Sequence, residues 1–440
     1  MANVFEYLDW RGDVPFSVDP FNSVDNLILS WIAYTDFEGI LSEDEGVFIE
    51  DVAKKYFELH TEEEVMSRNT FFKTAAFVLR RAAAVDRFKN VLLENYVNIV
   101  NADKDEQYSA VTFRFPSGMR YTAFRGTDNT LVGWKEDFNL TFMEETASQR
   151  RAVKYVNKYL KGTDELILGG HSKGGNLAVY AGAFCDKSIQ DRIKTVYSND
   201  GPGFRQEVLD KQGYKDILPR IVSIIPEESI VGVLLSNEYN NQIIKSSAKF
   251  VAQHDPMTWL VYGRDFVCAD KMGLNSRLID KTMVTWLSTM SDEDRRSFTD
   301  SLFSSIDSTG VTTLSEISEG GVKIISELIK SFKSMDSEKQ KEFSELVKRL
   351  IKIGNEIIFS NVKGRIKPVT RIAMTPIYKI TKAAEQITNK EQNAAEGEAE
   401  DTEKTENADK TEAAAKTDGG EKTGEESGSE SDKEEKNRYR

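Results

Sequence analysis

The sequence predicts an α/β protein with a mostly parallel sheet, N-terminal helices, an appended helical region and a disordered acidic C-terminal tail. Three observations carry that prediction. A hairpin, YSAVTFRF and MRYTAF about the turn Pro116-Ser117-Gly118, is followed by apolar strands that alternate with helical segments. Such alternation builds parallel sheets covered on both faces. Past about Asn275 only helical spacing remains, and after about Ala384 the chain is nearly all Glu, Lys, Ala, Thr, Gly and Ser.

Taken in order, the first hundred residues read as mainly helical. SVDNLILSWIAYTDF opens on a Ser–Asp capping signal and then spaces its apolar residues helically, and NTFFKTAAFVLRRAAAVDRFKNVLLENYV reads as a long helical stretch. The period changes at the hairpin, where β-branched and aromatic residues flank the turn. ASQRRAVKYVNKYL then reads as a helix, ELILGG as a strand and GNLAVYAGAF as a helix. IKTVYSND, RIVSII and NQIIKSS are further strands. In the appended region Ser291 is an N-cap with Asp294 three residues on, and GVKIISELIKSF and SEKQKEFSELVKRLIKI carry apolar residues at three–four spacing. The expected division is 1–270 for the sheet and N-terminal helices, 275–383 for the helical region and 384–440 for the tail. The tail is too poor in apolar residues to offset its ordering entropy.

Charge and composition exclude several function classes. Of the fourteen net negative charges nine fall in residues 391–440, which carry 17 acidic and 8 basic side chains. An acidic chain without a dominant basic face is poorly suited to nucleic acid, because phosphate neutralisation needs clustered Lys and Arg. Residues 361–383 hold six Lys or Arg and no acid. A solvated linker is the plain reading, and contact with anionic lipid or with the tail is the other. Cys185 and Cys268 have neither metal spacing nor a redox motif and read as two buried thiols in a reducing compartment. No secretory signal and no 18-residue apolar run is visible, so a cytoplasmic location without a transmembrane segment is expected.

The segment with chemical content is ELILGGHSKGGNLAVYAGAF. Gly170-His171-Ser172-Lys173-Gly174 matches G-x-S-x-G between a strand and a helix. A serine nucleophile there sits on a strained turn, and the residues two positions away must be small. A tight glycine turn that merely contains a serine, or a phosphate-binding loop, would also use glycines, although G-x-x-x-x-G-K-[ST] and G-x-G-x-x-G are both missing. A serine hydroxyl needs an imidazole base. Of the three histidines, His171 lies inside the turn and His60 in an acidic helical region far upstream. That leaves His254, after the strand NQIIKSS. The acid should fall between them in sequence. Asp200, at the end of IKTVYSND, is favoured, with Glu228 and then Glu227 as alternatives. Its plain reading is an Asx turn ahead of Gly201-Pro202-Gly203. Two backbone donors are needed for an oxyanion: the Lys173 amide is one, and the FRGTD loop, 124–128, is the natural source of the other.

With FRGTD after a strand, then GGHSKGGNLA, then a strand ending before Gly-Pro, the chain resembles the α/β-hydrolase superfamily near the class 3 lipases. NVFEYLDWRGD, VDNLILSWIAYTDFEGI, FRGTDNTLVGWKEDFN, SNDGPGF, ESIVGVLL and QHDPMTW make it most similar to a bacterial lipase-like family (Mbeg-like), over roughly residues 3–265. The resemblance implies an α/β-hydrolase fold, Ser172 as nucleophile, His254 as base, and Thr127 and Lys173 as oxyanion donors. It departs from class 3 lipases in having Lys173, not an apolar residue, after the serine. It departs again in having Ser229-Ile230-Val231 where those lipases place an Asp-x-Val acid.

The expectation is therefore a serine hydrolase acting on an acyl or lipid ester through Ser172, His254 and Asp200, with no metal or organic cofactor. Peripheral membrane contact is compatible with it. The alternative is an inactive α/β-hydrolase scaffold that binds a protein partner or a membrane surface through its appended regions.

Overall fold

The computed structural model describes residues 2–361 except 44, 69, 163, 314, 315 and 318–320. The acidic tail and nearly all of the basic stretch at 361–383 lie outside the described residues. Eight strands form one sheet: β1 (Val47–Phe48), β2 (Leu92–Asn101), β3 (Glu106–Arg114), β4 (Arg120–Phe124), β5 (Leu166–His171), β6 (Ile193–Asn199), β7 (Ile221–Pro226) and β8 (Asn241–Ile244). They lie side by side in chain order. β1 to β4 pair antiparallel, and β4 to β8 pair parallel.

That order decides where the helices go. Parallel crossovers are right-handed, so a chain that always steps the same way lays its connecting helices on one face. α6 (Leu131–Asn139) and α7 (Ala147–Tyr159) join β4 to β5, and α8 (Lys173–Phe184) and α9 (Lys187–Gln190) join β5 to β6. α10 (Gln206–Leu209) and α11 (Gln212–Ile217) join β6 to β7. Leu166, Leu168 and Val196 of the sheet pack there against Tyr155, Leu177 and Ile217.

The opposite face would be bare without the N-terminal segment: α1 (Val4–Arg11), α2 (Ser23–Ile32), α3 (Ile49–Leu59), α4 (Glu62–Ser67) and α5 (Thr70–Ala83). The alternate sheet residues Phe113, Tyr121, Ala123, Ile167 and Tyr197 meet Leu27, Ile28 and Trp31 there, together with Val78 and Leu79. The period-two alternation of β3 to β6 thus feeds two cores at once. A buried ion pair orders this layer. Arg87 donates to both oxygens of Asp25, at 2.8 and 2.5 Å, and Tyr7 donates to Asp25 at 2.9 Å.

Two expectations are corrected in this region. The cap of α2 is Asn22 with Asp25, one residue ahead of the predicted Ser23. Of the long helical stretch only Thr70–Ala83 is helix, and Leu92–Val97 belongs to β2. The reason is a bulge between Glu94 and Val97, with Asn95 at φ 58°. It puts the buried residues Leu93 and Tyr96 three apart instead of two, and that spacing mimics a helix.

The later helices α12 (Leu274–Ser288), α13 (Asp292–Asp307), Gly321–Ser334 and Ser337–Asn361 occur as expected, and Ser291 and Asp294 form a capping box. They build their own cores from Trp286, Phe298, Phe343 and Leu350, and from Phe303, Ile306 and Leu328. Both cores take in Phe138 of α6, whose ring meets Phe303 edge-on at 5.6 Å. Cys185 is buried, but Cys268 is exposed, and both are free thiols. Cys268 bridges to Ile244 of β8, the edge strand of the sheet, where its thiol lies near the Gln242 amide and is left open to solvent. No helix among the described residues is long and apolar enough to cross a membrane.

Candidate functional site

β5 ends at His171, and α8 begins at Lys173. Ser172 is the single residue between them, at φ 58° and ψ −133°. A non-glycine residue with positive φ costs energy and persists only when its surroundings hold it there. Here the Ser172 amide donates to Asn199 O at 2.9 Å, and Ser172 O accepts from the Gly175 amide at 2.9 Å. The turn is closed so tightly that a Cβ on Gly170 would lie 2.3 Å from the backbone of Gly174. A Cβ on Gly174 would lie 2.0 Å from Phe124 O. The small residues two positions either side of the serine are steric requirements.

The FRGTD loop leaves β4 alongside this turn. A Cβ on Gly126 would fall 3.0 Å from Ser172 Cβ and 2.1 Å from the Tyr34 hydroxyl, so only glycine lets the loop pass. The Thr127 hydroxyl donates to Asp137 Oδ2 at 2.6 Å. Among the described residues neither the Thr127 amide nor the Lys173 amide has a hydrogen-bond acceptor.

His254 closes a short 3-10 turn, Phe250–His254, that follows β8. Its Nδ1 lies 2.6 Å from Asp200 Oδ2. Asp200 follows β6 at φ 50° and is fully buried. Its other oxygen, Oδ1, accepts from the Ser229 hydroxyl and from the Gly232 amide, the latter at 3.1 Å. Ser229, at the position where class 3 lipases place an Asp-x-Val acid, thus hydrogen-bonds to Asp200, which sits one strand earlier. The His254 side chain remains 17 % exposed, and its Nε2 is the ring nitrogen that Asp200 leaves open.

The alternative acids lie elsewhere. Glu228 accepts from the Phe250 amide at 2.9 Å and from Asn275 at 3.2 Å, which pins the turn that carries His254. The Glu227 amide pairs with Ile244 O, and its carbonyl accepts from the Gly273 amide. Asp255 accepts from the Met257 amide. His60 caps α3, against Tyr56 and Arg68.

Lys173, unexplained by sequence, points inward from the start of α8. Its Nζ is buried and donates to Gln107 O and Oε1, both at 2.8 Å, and to Glu136 Oε2 at 3.0 Å. Glu136 also accepts from the Ser148 amide and hydroxyl and from the Gln107 amide. One buried ion pair therefore ties β3, α6, α7 and α8 together directly beneath the serine.

Three further residues were missed in the sequence. Asp137, next to Glu136 inside the quoted stretch FRGTDNTLVGWKEDFN, has its carboxyl pushed up to about 6. Burial is the main cause, opposed by Lys173 and by the Thr127 hydrogen bond. His171 is wholly buried, and its pKa is held well below the ordinary histidine range by burial first and by His254 second. Tyr34 lies 3.0 Å from His171 Nδ1. Tyr34, two residues beyond α2, carries no sequence signal of what it will meet across 137 positions.

A family model described as Mbeg1-like matches residues 82–304. Among solved structures, the crystal structure of M37 lipase shares 14% identity over 48% of this chain and 68% of its own, with a TM-score of 0.28. The native Rhizomucor miehei lipase propeptide complex shares 14% identity over 41% of this chain and 72% of its own, at TM-score 0.29. A deletion mutant of that complex gives 14%, 52%, 86% and 0.30. Superpositions this loose say nothing about activity. No curated protein sequence matches. By its family model, which spans half of its length, the chain belongs to the Mbeg1-like family, a family of α/β-hydrolase-like proteins.

Proposed function

We propose that the protein is a serine hydrolase that cleaves acyl esters through Ser172, His254 and Asp200. The observation that carries this reading is the 2.6 Å contact from His254 Nδ1 to a fully buried Asp200, on the side of the ring away from its open Nε2. A carboxylate in that place fixes the tautomer and stabilises the imidazolium that forms during reaction. In this reading Ser172 Oγ attacks the ester carbonyl and its proton passes to His254 Nε2. The Thr127 and Lys173 amides, the two open donors, bind the oxyanion. Collapse expels the alcohol, which takes the proton back from His254. A water molecule, deprotonated by the same nitrogen, then attacks the acyl-serine carbonyl, the bond to Ser172 Oγ breaks to release the acid, and His254 returns the proton to Ser172.

The class of substrate follows from the chemistry of these groups. Nucleophile, base and paired amides suit an acyl carbonyl, and lipid esters fall within that class. The helices beyond residue 275 are read as an appended region that braces α6 from behind, through Phe138.

A fluorophosphonate probe tests the reading, since it reacts with an activated serine and ignores an idle one. The expected result is a single labelled site at Ser172, absent in Ser172→Ala and slowed about a thousandfold or more in His254→Ala. A folded wild-type protein that takes up no label would overturn it and favour a non-catalytic scaffold.

A further inference from the structure

The catalytic reading uses one imidazole, but the structure stacks two. His171 and His254 lie with ring centroids 4.5 Å apart, tilted by 36°. His171 Nε2 is 2.9 Å from the backbone carbonyl of His254, and its Nδ1 is 3.0 Å from the Tyr34 hydroxyl. A carbonyl oxygen only accepts, so the proton of the neutral His171 ring sits on Nε2. Nδ1 is then a lone pair, and Tyr34 must donate to it. The phenol therefore selects the tautomer, and the tautomer supplies the donor that holds His254. Burial keeps this ring uncharged, so it competes neither for the proton nor for Asp200.

Tyr34 reaches further than His171. Its hydroxyl also approaches His171 O at 3.4 Å and is the nearest atom to the position that a Cβ on Gly126 would occupy. A single hydroxyl from just beyond α2 thus stands where the serine turn, the FRGTD loop and, through His171, the histidine loop converge. It comes from the N-terminal layer, ahead of the residues that the family model matches.

We infer that Tyr34 and His171 are positioning residues for the hydrolase reaction: a phenol–imidazole relay that fixes the backbone of His254 and so aims its Nε2 at Ser172. The inference rests on the proposed function of this same site. It also assigns the N-terminal helices a part in catalysis beyond covering the sheet.

The test measures the rate of fluorophosphonate labelling of the full chain in four variants. Each is checked for folding by its melting curve and circular dichroism. His171→Leu removes the donor to His254 O and is expected to slow labelling about 30-fold. His171→Gln places an amide N–H near the position of Nε2 and should return the rate to within about threefold of wild type. Tyr34→Phe leaves the ring free to take the wrong tautomer and should slow labelling about fivefold. In the His171→Leu background Tyr34→Phe should add less than twofold, because the relay is already cut.

A merely structural histidine would not be rescued by glutamine, so equal rates for His171→Gln and His171→Leu would overturn the inference. Wild-type rates in all variants would do the same, as would full additivity of the two substitutions. If His171→Leu does not fold, the Gln and Phe variants decide: the inference fails if Tyr34→Phe labels at the wild-type rate or His171→Gln labels more than tenfold slower. Failure of the catalytic reading looks different, since the wild-type protein itself would then not label.

Discussion

Two ionic clusters flank Ser172, and they are finished to different degrees. On one side the Lys173 ammonium is enclosed by Glu136 and by both oxygens of Gln107, with one-hundredth of its side chain exposed. Glu136 in turn accepts from Ser148, Gln107 and Lys173. On the other side Asp200 is equally buried and satisfied, yet the imidazole that it holds keeps one nitrogen open and 17 % of its side chain exposed. A cluster whose charges are paired and shut away from solvent resists change and serves as a brace, even with Gln107 Nε2 left without a partner among the described residues. A cluster left one partner short at its exposed end is free to take part in a reaction. The same ingredients, a buried carboxylate and a cation or latent cation, thus give a girder on one side and, in the proposed reaction, a tool on the other.

The comparison is broken most severely at Asp200. Asp200→Asn keeps the shape of the pair but cannot stabilise a charged imidazole, and it allows the wrong tautomer. The labelling rate is expected to fall about 10³- to 10⁴-fold while the melting temperature moves little. On the braced side the signs exchange. Lys173→Met leaves Glu136 charged and buried without its cation, so stability should drop by about 3–5 kcal/mol. The double variant Lys173→Met/Glu136→Gln should recover much of that loss, because a neutral amide needs no cation and its oxygen still accepts from Ser148 and Gln107. Its labelling rate should stay within about tenfold of wild type, since the proposed contribution of Lys173 to the reaction is its backbone amide. Chemical denaturation measures the first effect, and probe kinetics measure the second.

How much of this was legible beforehand follows the same division. Hydrophobic periodicity marked the hairpin and β5 to β8, because alternation is a local property. It failed at β2, where one bulged residue at Asn95 changed the spacing of the buried side chains. Ser172, His254 and Asp200 could be nominated because each follows a strand and their chain order is constrained. The Asp200–His254 contact spans only 54 positions, with few rivals between. Lys173 was visible but unreadable. Its partners, Gln107 and Glu136, lie 66 and 37 positions away, on elements whose approach depends on the folded sheet. Tyr34 was less legible still, since the one-way strand order is what brings the N-terminal layer across to the serine turn.

Asp137 sharpens the comparison most gently, because it lies between the two clusters and belongs to neither. One carboxylate oxygen accepts from Thr127, while Oδ1 is buried and without a partner among the described residues. Its carboxyl is raised to about 6, mainly by burial, with Lys173 and His254 both pulling the other way. An unfolded aspartate titrates near 3.9, so between about pH 4 and 6 the folded chain holds a proton that the unfolded chain has lost. Stability contributed at this site therefore falls as pH rises through that window, and above pH 6 the full cost of the buried charge is carried. Asp137→Asn removes the charge and keeps an acceptor for Thr127. It should melt higher than wild type at pH 8, by an amount on the order of 2 kcal/mol, and the advantage should vanish towards pH 4. Melting curves across that range distinguish this from a simple packing change, which would shift the melting temperature equally at every pH. A pH-independent difference would mean that Asp137 is already neutral or fully compensated, and that the bracing cluster extends to the edge of the proposed oxyanion site.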